Sequence, residues 1–465
     1  MTKESSLNAL SVDWNLLRKY NVPGPRYTSY PTALEFRDIE DPSQVTRYIS
    51  ERNSEPRPIS LYVHIPFCYS LCWYCGCTKV ISRNIDDADK YLGYLEKEMD
   101  LLLKRLHPQN YVVQLHFGGG TPSFMEPYQI RRLGRAIRER FTFDENAEVS
   151  VEIDPRRLSK DHILAFRDAG FNRASLGVQD TNHEVQEAIH RIQPFEQTAE
   201  ASQWIREAGF FSLNFDLVYG LPKQQPSSFR KTLDDALSLQ PDRFAIYSYA
   251  HIPWIKPAQK LISQNDLPST TQKLEMLKMS IEELTANGYV YIGMDHFARE
   301  DSELVEALNN GTLQRNFQGY STHGEADMYA FGMSGISQPG VMHYQNDKEL
   351  PGYYSALDED RLPIIKMRDV SQDDLVRRDA IMRIMCKRRL NYEALSQTWQ
   401  IDTKHYFAQE LNQLQELDED GLVERRDNEL LVTDTGQLFL RNIAMVFDAY
   451  IKQHIKKRNV YSKTV

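Results

Sequence analysis

Six short runs of apolar and β-branched residues recur through the middle of the chain, at 59–65, 112–117, 148–153, 173–178, 212–219 and 243–249. Each has the length of a strand, and stretches between them, such as 91–106, 161–169 and 229–239, carry apolar residues at the spacing of an amphipathic helix. Six βα units in series predict an α/β fold with a parallel sheet, either doubly wound or rolled toward a barrel. The positions of the unusual residues favour the barrel. A cysteine-rich loop follows the first run, Gly118-Gly-Gly-Thr-Pro122 follows the second, and Glu152 stands near the end of the third. Gln179 follows the fourth run, Asp216 lies within the fifth, and Ala250 follows the sixth. Polar and glycine-rich residues thus gather toward the C-terminal ends of successive strands, where barrel enzymes build their active sites.

Residues 1–55 read as an irregular lid segment containing Val22-Pro-Gly-Pro25, and 56–369 as the barrel domain. Residues 370–465 read as a small, mostly helical domain with a hairpin, resembling a winged helix. A nucleic-acid role does not suit that domain, whose stretch 416–420 is acidic, or the whole chain, whose 65 acidic against 55 basic side chains give a net charge of −10. Covering the barrel mouth is the role expected of it instead. No apolar run approaches a membrane span, and residues 1–20 carry charges rather than a hydrophobic core. The expectation is a cytoplasmic monomer in a reducing compartment, with the basic stretch 452–463 as a solvated tail.

The chemistry concentrates in His64-Ile-Pro-Phe-Cys-Tyr-Ser-Leu-Cys-Trp-Tyr-Cys-Gly-Cys77, which sets Cys68, Cys72 and Cys75 at C-x3-C-x2-C spacing. Three thiolates are one too few for a 4Fe–4S cluster closed by protein, so one iron stays open to a chelating small molecule with an amine and a carboxylate. Structural zinc with Cys77 as fourth ligand is the competing reading, although zinc pairs usually come from two separated knuckles. A disulfide staple suits neither the length of the chain nor the lack of a secretory signal. Cys77 is too close to Cys75 to serve the same cluster without straining the loop and reads as a thiol on the substrate side, whereas Cys386 reads as core.

Other residues leave alternatives open. The triple glycine forms either a loose turn or a close approach to a ligand that a Cβ would exclude. Glu152 and Asp216 interrupt apolar strands, and a buried carboxylate needs a partner. Arg173 or Arg191 would supply a structural ion pair; in the functional reading the carboxylates accept hydrogen bonds from ligand hydroxyls. Tyr62, His64 and Tyr74 are either core residues or, for the aromatics, surfaces for an adenine ring.

Further segments narrow the reading: Pro25-Arg-Tyr-Thr-Ser-Tyr-Pro-Thr32, Gly177-Val-Gln-Asp180, Asp216-Leu-Val-Tyr-Gly-Leu-Pro222, Gly293-Met-Asp-His-Phe-Ala-Arg299 and Arg315-Asn-Phe-Gln-Gly-Tyr320. In order and spacing these resemble the oxygen-independent coproporphyrinogen III oxidases (coproporphyrinogen dehydrogenases) of the radical S-adenosylmethionine (SAM) superfamily, over almost the whole chain. Related heme chaperones share much of the barrel but usually lack the N-terminal segment and Cys77. Such a chaperone, or an electron-transferring iron–sulfur protein, is the alternative class.

The resemblance implies a partial (β/α)6 TIM-like radical SAM barrel, one 4Fe–4S cluster on Cys68, Cys72 and Cys75, and two SAM molecules. Tyr62, Tyr74, Gly119, Glu152 and Ile336 would surround the SAM on the cluster, and Gly120, Thr121, Gln179, Arg191, Asp216 and Ala250 the second. Tyr74 stands where the family often has Phe, which keeps the aromatic face. Cys77 and Tyr62 are the catalytic candidates. The implied reaction of heme biosynthesis converts two propionates of coproporphyrinogen III to vinyl groups without oxygen, drawing on a donor such as a flavodoxin or ferredoxin and on an unidentified electron acceptor. A substrate with four carboxylates calls for local cations on an acidic protein, and Arg26, Arg299 and Arg315, each in a family-like segment, are the candidates. The alternative is that they pair with the chain's own acids, such as Asp295 with Arg299.

Overall fold

The computed structural model describes residues 13–316, 319–455, 461, 463 and 464. Phe317 and Gln318 of the 315–320 segment, residues 1–12 of the N-terminal segment and part of the basic stretch 452–463 lie outside the described residues. Six parallel strands follow one another in space as in sequence: β1 (Pro58–Ile65), β2 (Tyr111–Gly119), β3 (Thr142–Ile153), β4 (Arg173–Gln179), β5 (Ser212–Tyr219) and β6 (Arg243–Ser248). Helices α1 (Asp86–Leu103), α2 (Pro127–Arg140), α3 (Lys160–Asp168), α4 (Phe195–Glu207) and α5 (Pro226–Ser238) lie between them, with α6 (Thr270–Ala286) after β6. This is the expected six-unit partial barrel.

Both edges are extended in ways the apolar pattern did not reveal. The antiparallel pair β7 (Tyr289–Gly293) and β8 (His296–Arg299) joins β6, and β9 (Asp327–Phe331) adds to β1 in parallel, giving the order β7-β8-β6-β5-β4-β3-β2-β1-β9. The sheet therefore stays open.

Alternation along each strand explains the layers. On β1, Ile59, Leu61, Val63 and Ile65 are each at most 1 % exposed. On α1 the stripe Leu92, Leu95, Met99 and Leu102 is buried in the same core, as helical and strand periodicities require of two facing apolar surfaces. The opposite face of the sheet is polar: Gln114, His116, Glu148, Ser150, Glu152, Arg173, Ser175, Asn214, Asp216, Arg243 and Tyr247 line a cavity of about 140 Å³. At its base Gln114 donates to Glu148 and accepts from Ser60 (3.2 and 3.1 Å), and Arg173 donates to Glu303 (2.8 Å).

The N-terminal segment is less irregular than its sequence suggests. It contains helices Trp14–Tyr20 and Ser43–Arg52, and Arg37–Asp38 pairs with Ile364–Asp369 in a second sheet. Arg52 clamps buried Asp327 of β9 through Nε and Nη2 at 2.7 and 2.8 Å. Lys19 bonds Glu416 and Asp420, so the acidic stretch of the C-terminal region is partly engaged within the chain. That region comprises a helix at Gln372–Lys387, shorter helices after it, and a three-stranded sheet of Arg389–Asn391, Glu429–Val432 and Val423–Arg425.

One buried carboxylate holds the turn after β9. Glu98 of α1 accepts from Gly332 N (2.8 Å), Asn346 Nδ2 (2.6 Å) and Tyr353 OH (2.7 Å), while burial pushes its carboxyl up to about 7. Glu98→Ala should cost about 3 kcal/mol in urea unfolding, because it strands buried donors. A folded-state value above the unfolded one means that this group's contribution is complete at low pH and is lost as pH rises through about 7. Glu98→Gln should remove that decline from the stability profile.

Candidate active site

The cysteine loop is fixed at both ends and in the middle. Phe67–Cys68 pairs in parallel with Val80–Ile81. His64 Nε2 lies 3.0 Å from the Thr78 carbonyl, which requires the proton on Nε2, and its Nδ1 then accepts from Tyr62 OH at 3.1 Å. Burial keeps this imidazole neutral by lowering its pKa. Trp73 N–H donates to Ile189 O (2.9 Å) and its indole stacks on His190, so the segment carrying Arg191 is carried against the loop.

Glycines let β2 end against that loop. A Cβ on Gly119 would lie 2.8 Å from the His64 ring, and one on Gly120 would lie 2.4 Å from Pro66 O. Gly119 also has φ +115°, which favours glycine. Close approach to the protein's own backbone thus suffices to require both residues. Gly120 N and Thr121 N donate to Ile65 O and Phe67 O at 2.8 and 2.9 Å.

Two guanidiniums lie against Cys72. Arg156 Nη2 lies 3.3 Å and Arg191 Nη1 3.7 Å from its sulfur, and both guanidiniums pair with Asp154, at 2.6 and 3.0 Å. Burial opposes ionisation of Asp154, but Arg191 and then Arg156 outweigh it and hold the carboxyl well below the usual range. Arg191 Nη2 also donates to Gly177 O (2.7 Å). Cys77 N–H points at Cys75 Sγ (3.4 Å), and Cys77 itself is exposed. Among the described residues no three His, Cys, Asp or Glu side chains converge on a single-ion site. Thiols spread along one loop suit a cluster that presents a separate iron to each of them.

The two inward carboxylates are not paired with the arginines expected of them. Arg191 serves Asp154, and Arg173 serves Glu303 and, at 3.6 Å, Glu148. Glu152 instead meets His116 Nε2 at 3.3 Å, and His116 Nδ1 meets Ser150 Oγ at 2.6 Å while its ring stacks on Tyr62. Burial works against its charge, yet His116 and the Gly119 amide together hold Glu152 below its ordinary value. Asp216 accepts from Ser175 Oγ (2.8 Å) and Asn214 Nδ2 (2.9 Å), and burial followed by the charge of Glu152 pushes it up to about 7. Both carboxylates face the cavity.

Around the rim, Gln259 Nε2 donates to Tyr74 O and Ala250 O at 3.1 and 3.2 Å, tying the cysteine loop to the end of β6. Thr121 Oγ1 bonds Ser123 Oγ and Asp154 N, and Gln179 adopts φ +68° beside Gly177. Ile336 lies just past the Gly332–Gly335 turn at the opposite edge and is half-buried.

The three arginines separate. Arg26 pairs with Asp295 and lies over the Tyr247 ring, and Arg315 Nε reaches the Arg26 carbonyl at 3.4 Å. Arg315 Nη1 and His296 Nδ1 are both buried without a hydrogen-bond partner among the described residues. Arg299 does not belong with them. It sits 46 % exposed against Asp301, at the end of β8 where its N–H meets Asp242 O, beside the N-terminal end of β6. Asp295 partners Arg26 rather than Arg299, because the antiparallel course of β8 carries Arg299 to the far end of the sheet.

Sequence reasoning missed His116, Ser175, Asn214, Tyr247, His296, Asp154 and Arg156. The first three stand two residues from ones already singled out, so extending the strand alternation through Gln114-Leu-His116 and Asn214-Phe-Asp216 would have found His116 and Asn214.

The strand order, the three-thiol loop and the polar interior are those of a radical SAM enzyme, and residues 62–236 match the family model described as Radical SAM superfamily. Residues 370–439 match the HemN C-terminal domain. The chain belongs to the oxygen-independent coproporphyrinogen III oxidase family. It is 46% identical to the enzyme of that name from Salmonella typhimurium, over 95% of this chain and 96% of the relative. It is 43% identical to that from Synechocystis sp., over 97% of each. The solved coproporphyrinogen III oxidase (HemN) from Escherichia coli, a radical SAM enzyme, superposes with TM-score 0.91 at 44% identity, covering 95% of this chain and 100% of that one. The family implies a 4Fe–4S cluster and SAM.

Proposed function

We propose that this enzyme converts two propionate side chains of coproporphyrinogen III to vinyl groups, giving protoporphyrinogen IX without oxygen. The observation that carries this reading is the three-thiol loop opening beside a polar cavity that contains Glu152 and Asp216, in a chain of this family. Cys68, Cys72 and Cys75 would hold the cluster. When bound, cluster and SAM supply a 5′-deoxyadenosyl radical strong enough to take an unactivated hydrogen. Each propionate then gives up one hydrogen atom, carbon dioxide and one electron, so atoms and charge balance with a vinyl group as product.

The chain's own side chains position and shield. Tyr62, Tyr74, Gly119, Glu152 and Ile336 would surround the first SAM. Gly120, Thr121, Gln179, Arg191, Asp216 and Ala250 would hold a second. Ser175 and Asn214 already satisfy part of Asp216, which leaves lone pairs for ligand hydroxyls. Arg156 and Arg191 lie against the Cys72 sulfur and would fix its place in the loop. Arg26 and Arg315 would receive propionates, with His296 beside them, and Cys77 would act from the rim. A one-electron donor and an acceptor complete the reaction, and residues 1–55 and 370–465 would frame the 56–369 barrel domain.

Anaerobic incubation with SAM, reductant and coproporphyrinogen III tests the reading: protoporphyrinogen IX should form, and heme binding without turnover would favour a chaperone. Changing Cys68, Cys72 or Cys75 to Ala should abolish the visible absorption of the reconstituted cluster, whereas Cys77→Ser should keep it and lose turnover. Equilibrium dialysis should saturate at two SAM per chain, and at one in Asp216→Ala. Arg26→Ala and Arg315→Ala should weaken coproporphyrinogen binding by about 1.5–3 kcal/mol, the worth of a charged hydrogen bond, while Arg299→Ala leaves it unchanged.

A further inference from the structure

Lys273 stands in the first turn of α6, after the N-cap Ser269. Its ammonium reaches the mouth of the barrel, donating to Tyr249 O at 2.9 Å and lying 6.0 Å from the centroid of the Tyr219 ring at the end of β5. Gly220 makes room for it. With φ +85°, this glycine has no Cβ where one would fall 2.5 Å from Lys273 Cε.

Three effects oppose a positive charge at this place. Burial comes first and the charge of Lys463 second, and together they lower the ammonium to about 8. The positive end of the α6 dipole adds to them. Other lysines nearby have acids, Lys278 with Glu282 and Lys223 with Asp266, but among the described residues none pairs with Lys273. Asp295, which faces Tyr219, is held by Arg26, and Arg441 also faces that ring. Asp295 is thus engaged by Arg26, and the nearest charged neighbour of Lys273 among the described residues is another cation, Lys463. A half-buried cation without a counter-ion is costly unless a ligand supplies one, and a helix N-terminus favours an anion at the same spot.

Building on the proposed function, we infer that Lys273 is a receptor for a ligand carboxylate at the barrel mouth. Two carboxylates are available in that reading, a propionate of the porphyrinogen and the α-carboxylate of SAM. The propionate fits better, because the side chain reaches its place over the ends of β5 and β6 toward the Arg26 side of the mouth.

The experiment measures KM for coproporphyrinogen III and Kd for SAM, anaerobically, in wild type, Lys273→Met and Lys273→Arg between pH 7 and 9.5. Lys273→Met should raise KM about ten-fold or more, the loss of one charged contact, with Kd for SAM unchanged. Lys273→Arg should retain affinity. Wild-type KM should climb as pH rises past the ammonium's titration, and Lys273→Arg should lack that climb. The groups facing Lys273 are Tyr219 with its neighbours Asp295, Arg26 and Arg441, then Tyr249 and Lys463; burial pushes both tyrosines up to or beyond about 12, clear of this range. A rise in the SAM Kd instead would assign the receptor to the SAM carboxylate. Unchanged KM and Kd in a Lys273→Met protein with wild-type melting would overturn the inference. Should that variant not fold, a pH climb persisting in Lys273→Arg overturns it equally. Wild type that does not convert coproporphyrinogen III fails the proposed function itself, which turnover in the same assay reveals separately.

Discussion

The inner face of the sheet is polar, and the architecture follows from that constraint. A small closed barrel fills its interior with interdigitated apolar side chains. Here Glu148, Glu152, Arg173, Asp216 and Arg243 project inward, and burying them without partners would cost more than closure could return. The open sheet resolves the conflict. Its base neutralises charges pairwise, Arg173 and Arg243 sharing Glu303, while Glu152 and Asp216 near the mouth keep acceptor capacity. β9 and the β7–β8 pair then extend the sheet beyond the six parallel strands on both sides.

Electrostatics are arranged on a shorter scale than the net charge of −10 suggests. Salt screens charges farther apart than about 8–10 Å, so what an anionic ligand meets is the local set of groups. At Cys72 two arginines share Asp154, leaving a positive remainder beside a thiol. At the mouth Arg26 and Arg441 lie near Asp295, and Lys273 lies near Lys463. These two places lie on the cysteine-loop side and the β5–β6 side of one opening, so an acidic protein presents cations where anionic groups would enter.

The parallel core was legible because strands buried on one face by helices carry apolar residues in a fixed rhythm, and the six runs coincide with β1 to β6. The edge strands were not. β9 reads Asp-Met-Tyr-Ala-Phe and β8 His-Phe-Ala-Arg, too short to separate from helix or loop by periodicity. The cysteine loop was legible from spacing alone, since its thiols are local in sequence. Partner choice was not: Asp154 captures Arg191 because the 189–191 segment is held by Trp73 and Leu71, contacts between residues over a hundred positions apart that no local pattern encodes. Arg299 misled for a related reason. Its motif is contiguous, but β8 runs antiparallel and separates Asp295 at the mouth from Arg299 at the base.

The two ends of the chain bear on the same mouth. Pro23 bridges to Lys463, Thr464 N–H donates to Val22 O, and Arg441 donates to the carbonyls of Pro25 and Lys463. Tyr27 OH reaches Asp448 and Tyr30 OH accepts from Ala449 N–H. Arg26 is therefore delivered to Asp295 by a segment held by the C-terminal region as well as by Arg315 of the barrel domain. Lys273 comes from the barrel's own α6. Cations reaching one opening from both sources make the cationic rim depend on docking of the terminal segments, and it is complete only when the barrel and both ends of the chain are assembled together.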